Sequence, residues 1–245
     1  FQNLLKFLDY QKEHNGMKLE KFDIGSNKQF VLKKDPKSYS GFEIRNVKSN
    51  NLLWTGKGKN TTPLFTVEEL LAKNGKFNDN QMSTALVVTY GKFKYYAGGD
   101  NSGLVDQDHA EWYDIETPMA PIVGKVSAMS LNHHSNRDAT NRNFLDVLDP
   151  KVVVAQSWST DHPGPEVGQR LLSANVGTQK RDIFMTYYHE ETGIGIGPWY
   201  SRGVKAKEGH IVIRVYPDGK YEVYVLDARK SNLTVQKKFG PYVSE

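Results

Sequence analysis

Near the start of the chain the apolar positions recur at helical spacing. Phe1, Leu4, Leu5 and Leu8 share one face, with Lys6, Asp9 and Lys12 elsewhere, and they predict a helix within residues 1–22 that Asn15-Gly16 ends. Residues 22–60 are polar and rich in turns, with short strands expected at Gln29–Leu32, Phe42–Val47 and Leu52–Thr55. Thr66 followed by Glu69 is a capping box that opens a short helix ahead of Leu70 and Leu71. The pattern then turns β-branched and apolar. Ala85–Tyr90 and Phe93–Ala97 flank Gly91-Lys92 as a hairpin, and strands are expected at Val123–Leu131, Val152–Ala155 and Arg181–Thr186. Helices are expected between them at Asn141–Leu148 and Glu166–Ala174. A second hairpin, Gly209–Tyr216 with Tyr221–Leu226, closes on Pro217-Asp218-Gly219-Lys220.

Three of the apolar strands hand over to residues of catalytic type. The first exits at Gly98-Gly99-Asp100, the second at His133-His134, and the third at Asp161-His162-Pro163. Strands alternating with helices put such exits on one sheet edge, where open α/β sheets carry their sites. Asp100 is a candidate metal ligand whose glycines allow close backbone approach, or else an ordinary turn or capping residue. His133 and His134 are candidate ligands or substrate contacts, or else a surface pair. Neighbouring side chains on an extended backbone point apart, so only one of the two is expected to ligate a given ion, and His134 is taken as that one. His162, fixed by Pro163, is a candidate proton or hydrogen-bond donor, or else part of a loop. His109 and His189 lie in charged, loop-like contexts, while His14 and His210 read as structural. The glycines of Gly193-Ile194-Gly195-Ile196-Gly197 lack the lysine and the spacing of a phosphate loop.

Composition narrows the chemistry. The chain has 245 residues, a formal charge of +4 and no cysteine. Disulfides, thiolate ligands and cysteine nucleophiles are therefore excluded, and an extracytoplasmic location is slightly favoured. No apolar run is long enough to span a membrane. A nucleic-acid partner draws thin support from +4.

The ordered series Asn78-Asp79-Asn80, Leu86-Val87-Val88, Gly98-Gly99-Asp100, His133-His134-Ser135, Pro150 with Val152–Ala155, and His162-Pro163 resembles the later half of metallo-β-lactamase-fold hydrolases. The resemblance covers about residues 78–165 and is strongest to the branch holding the hydrolase domain of DNA-uptake (competence) proteins and the phosphorylcholine esterases. There are departures: this chain reads His133-His134-Ser135-Asn136 where the family has His-His-Gly-Ser, and Gly99 stands for a Thr or Ser. The family's His-x-His-x-Asp-His motif is absent.

The resemblance implies an α/β fold, an αββα sandwich to which this chain contributes mainly the carboxyl-terminal half. Residues 1–77 would be a helix and turn-rich segment, 78–186 the second half proper, and 187–245 a strand-rich extension. A missing amino-terminal half or a homo-oligomer would cover the exposed sheet face. The implied function is a metal-dependent hydrolase acting on a phosphodiester or phosphorylated small molecule, with two ions, zinc first, in the complete site. Asp100 and His134 would bind metal, His162 would face substrate, and His133 would support turnover. The competing functions are an inactive binding module on the same scaffold and a DNA-processing nuclease.

Overall fold

A computed structural model describes residues 2–72, 79–104 and 110–245. The elements in order are α1 (Gln2–Asn15), β1 (Phe42–Ser49), β2 (Leu52–Trp54), β3 (Thr61–Pro63), α2 (Val67–Ala72), β4 (Ala85–Tyr90), β5 (Phe93–Gly98), α3 (Glu116–Val123), β6 (Ala128–Ser130), α4 (Arg142–Leu148), β7 (Val152–Ala155), α5 (Pro165–Leu172), β8 (Asp182–Met185), α6 (Glu190–Ile196), α7 (Pro198–Gly203), β9 (Val204–Ala206), β10 (His210–Val215), β11 (Lys220–Leu226) and β12 (Val235–Val243).

β1 to β9 form one nine-stranded mixed sheet in the order β3-β2-β1-β4-β5-β6-β7-β8-β9, and β10-β11-β12 form a separate antiparallel sheet. β1 to β5 pair antiparallel and β5 to β9 pair parallel, so each parallel step crosses over through helix. β1 runs beside β4 from Phe42↔Tyr90 to Lys48↔Ala85, which joins residues on either side of position 77 in one sheet. β9 adds a strand from beyond residue 187 to the same sheet.

The period-2 alternation of the parallel strands divides two cores. Tyr96, Met129, Val153, Ala155, Ile183 and Met185 face the helices, where they pack against Met119 and Val123 of α3, Phe144 and Leu148 of α4, Leu171 of α5 and Tyr200 of α7. Phe93, Ala128, Val152 and Phe184 face the other way and meet Tyr221, Val223 and Val225 of β11. The layers are therefore helices, large sheet and small sheet, and the chain itself covers part of the second apolar face. Two hydroxyls pin the sheets together: Tyr221 Oη donates to Ser127 O at 3.0 Å and Tyr242 Oη to Asp182 Oδ2 at 2.8 Å. No helix among the described residues is long and apolar enough to cross a membrane.

Local chemistry sets the element ends. Thr66 and Glu69 form a reciprocal capping box, at 2.7 and 3.1 Å. Asn141 caps α4 by accepting from Phe144 N at 2.7 Å. Two expected elements differ. Gln29–Leu32 forms no strand; Gln29 instead spends its amide on Asp23 N, Lys21 O and Asn46. Only Ala128–Ser130 of the expected strand Val123–Leu131 is paired, because Val123 ends α3 and Gly124 turns the chain. The glycine series at 193–197 lies mainly in helix α6.

Candidate functional site

The carboxyl ends of β5, β6 and β7 bring Asp100, His133, His134 and His162 to one edge of the large sheet. Asp100 follows Gly98 and Gly99, where the backbone passes too close to its neighbours for a side chain. A Cβ on Gly98 would lie 2.2 Å from Asn132 Oδ1, and one on Gly99 would lie 2.9 Å from Ser83 Oγ. Ser83 Oγ accepts from Asp100 N at 2.9 Å and so fixes the start of the exit loop.

The histidine pair does not sit on extended backbone. Asn132–Ser135 is a tight turn in which His133, His134 and Ser135 have φ of 47°, 53° and 69°. Left-handed conformations at non-glycine residues cost about 1–3 kcal/mol each and persist only where surroundings enforce them. Asn132 is fully buried and supplies that enforcement. Its Nδ2 donates to Glu116 Oε1 at 2.8 Å, and its Oδ1 accepts from Tyr96 Oη at 3.0 Å. His133 N donates to Gly99 O at 3.2 Å, and Ser135 O accepts from Gly164 N at 2.9 Å. The second contact ties the turn to the loop carrying His162, which precedes a cis proline.

Each ring has a distinct bonding state. His134 Nδ1 lies 2.9 Å from Gln156 O, and a carbonyl only accepts, so Nδ1 carries a proton. In the neutral imidazole the lone pair is then on Nε2, which faces Asp100 Oδ1 at 3.5 Å. His162 stacks on His134 with centroids 5.5 Å apart and planes at 21°. Its Nε2 is 3.8 Å from Asp161 Oδ1, and its buried Nδ1 has no hydrogen-bond partner among the described residues. Burial holds His162 below the usual histidine range, with Asp161 working against that shift.

His133 turns away from this pair. Its Nδ1 is 2.8 Å from Asp138 Oδ1 and its Nε2 is 3.1 Å from Asn80 Nδ2. Burial pulls its pKa down, but the hydrogen bond and charge of Asp138, helped by Asp100 and Asp161, raise it on balance. Both nitrogens are committed, so His133 acts as a braced ring at the rim.

The other described histidines lie elsewhere. His14 stacks on Tyr10 on the exposed α1, His189 pairs with Glu191, and His210 is exposed on β10. His109 and Asn78 fall outside the described residues. Sequence reasoning missed Asp138, Gln156 and Glu116. Asp138 and Gln156 meet the rings only because the turn is left-handed, and Glu116 sits in a Pro-flanked stretch with no charge pattern. Among the described residues, no group of three or more His, Asp or Glu is arranged to hold a metal ion. No family model matches the chain, and no curated protein matches it.

Proposed function

We propose that this sheet edge is the second-half site of a metal-dependent hydrolase of the metallo-β-lactamase type, acting on a phosphodiester or phosphorylated small molecule. The observation carrying this reading is the face-off of His134 Nε2 and Asp100 Oδ1 at 3.5 Å, with Nδ1 already spent on a carbonyl. With the Nε2 lone pair free, the two acceptors repel unless a cation, a proton or a metal ion, lies between them. Donors about 2.0–2.1 Å from one tetrahedral zinc stand roughly 3.3–3.4 Å apart, close to the spacing here. The carbonyl behind His134 is the usual support of a ligating imidazole. Asp100 and His134 would therefore hold a divalent cation, zinc first.

When bound, such an ion lowers the pKa of a water and polarises a phosphoryl or carbonyl oxygen. The chain's own groups supply the rest. His162, kept neutral by burial, offers one N–H and one lone pair beside the pair. His133, oriented by Asp138 and Asn80, stands next to His134 with its ring centroid 6.5 Å away. A catalytic zinc takes three protein ligands, and the described residues of this edge offer two, so the site needs further donors to reach full affinity.

Zinc titration of the chelator-treated protein tests the reading. It should bind one equivalent weakly, and Asp100→Ala or His134→Ala should each weaken binding at least about tenfold. His133→Ala should leave zinc binding in place. Asp100→Ala should change folding stability by under ~0.5 kcal/mol, because its carboxylate is partly exposed and holds no buried partner. Tight two-equivalent binding, or binding indifferent to Asp100 and His134, would sink the assignment.

A further inference from the structure

The parallel strands have a second end. Where β5, β6 and β7 begin, opposite the edge carrying Asp100 and His134, a cavity of about 330 Å³ is lined by Lys92, Lys94, Lys125, Lys151, Ser127 and Gln179. Strands rise about 3.3 Å per residue, so the length of β5 separates the two edges by about 15–20 Å.

Charge accounting around this cavity leaves a cationic excess. Asp149 and Glu245 are its carboxylates. Asp149 is already engaged: it accepts from Thr178 N at 2.9 Å and from Thr178 Oγ1, and the buried Arg181 guanidinium stands 3.9 Å behind it. Lys125 reaches it only at 4.0 Å, and reaches the exposed Glu245 at 3.7 Å. Lys151 donates to Lys180 O at 2.8 Å and comes no nearer than 4.0 Å to Asp182, a carboxylate already bonded by Tyr242 Oη. Lys94 donates to Val123 O at 2.9 Å, and neither it nor Lys92 makes an ion pair among the described residues. Lys94 is half-buried, and burial lowers its pKa, the mark of an ammonium short of counter-charge.

Four lysines line this one cavity, and their combined field concentrates anions there. Lysines recognise phosphate as point charges, and several of them suit several adjacent negative oxygens. The volume is at the low end for small-molecule sites, enough for a chain of two or three phosphates and too small to seat a nucleic-acid strand. We propose that this cavity binds a condensed phosphate group, free or carried by a nucleotide, through Lys92, Lys94, Lys125 and Lys151. This site is independent of the metal reading of the opposite edge.

Calorimetric titration at low ionic strength in the presence of EDTA tests it, with tripolyphosphate, ATP and orthophosphate as separate ligands. Tripolyphosphate or ATP should bind with one-to-one stoichiometry, and orthophosphate at least about tenfold more weakly. Equal affinity for tripolyphosphate and ATP would identify the phosphate chain alone as the ligand, whereas tighter ATP would add the nucleoside. Lys94→Gln/Lys151→Gln should weaken binding at least about tenfold, and Asp100→Ala should leave it unchanged. If the first double variant folds poorly, Lys92→Gln/Lys125→Gln, on more exposed positions, gives the same readout. Absence of saturable binding by both tripolyphosphate and ATP, or undiminished binding to a folded double variant, overturns the proposal.

Discussion

Glu116→Ala is expected to destabilise the fold by about 4 kcal/mol or more and to release the histidine turn. The Glu116 carboxylate is fully buried and accepts from Asn132 Nδ2 at 2.8 Å, Thr140 N at 2.7 Å and Asn141 N at 2.6 Å. Removing it orphans three buried donors at roughly 1–3 kcal/mol each and leaves a cavity. Asn132 then loses half of what locks the left-handed His133–Ser135 backbone, and the capping Asn141 at the start of α4 loses its anchor. Glu116→Gln keeps the shape but sets an amide N–H against a backbone N–H, so it should cost about 2 kcal/mol. Gly103→Ala approaches the same centre from outside, because its Cβ would lie 1.9 Å from Glu116 Oε2. Denaturant melts order the three variants, and imidazole NMR of His133 and His134 reports the turn. A Glu116→Ala protein within about 1 kcal/mol of wild type, with unmoved histidine signals, would remove the carboxylate from this role.

What the sequence discloses of this molecule follows how local each cause is. The hairpins at 85–98 and 210–226 and the strand at Val152–Ala155 carry their period in adjacent residues, and the capping box at Thr66 and Glu69 is written three positions apart. The strand Val235–Val243 is masked by Lys237, Lys238, Gly240 and Pro241, which an edge strand tolerates and a central one does not. Helix α3 contains Pro121 and begins just before Pro118, so its apolar residues do not announce a helix. At the site, the strand exits place Asp100, His133, His134 and His162 in view. Which nitrogen faces which oxygen depends on three consecutive left-handed residues, and those are enforced by Asn132, Tyr96 and Glu116 from remote parts of the chain. No spacing rule reads such a contact, because it exists only after the helix layer has closed over the sheet.

Stability is expected to pass through a minimum near neutral pH, lower at pH 7 than at both pH 5 and pH 9. Two buried groups set the two arms. Burial raises Glu116 from the ordinary glutamate value of 4.5 to about 7, against the pull of its three donors. Between those values the folded protein holds a proton that the unfolded chain has released, so stability present at acid pH is lost as pH rises toward 7. Burial lowers Lys48 from 10.5 to about 7, although its ammonium donates to Gln81 O at 2.8 Å and Ser83 O at 2.7 Å. Between 7 and 10.5 the unfolded chain binds the extra proton, so stability climbs with pH. At full extent the acid arm is about 3 kcal/mol and the alkaline arm about 5 kcal/mol. Asp114, raised by burial, reinforces the acid arm, and Lys94, lowered by burial, reinforces the alkaline one. His133 is shifted up and His162 down, so their contributions across the middle of the range oppose each other. Urea melts at pH 5, 7 and 9 check the shape. Glu116→Gln should flatten only the acid arm, and Lys48→Met only the alkaline arm. A wild-type curve that instead peaks at pH 7 would mean that both groups keep their charge at neutral pH. Lys48 would then be a cation held under the Gln81–Ser83 segment by carbonyl oxygens strong enough to offset its desolvation.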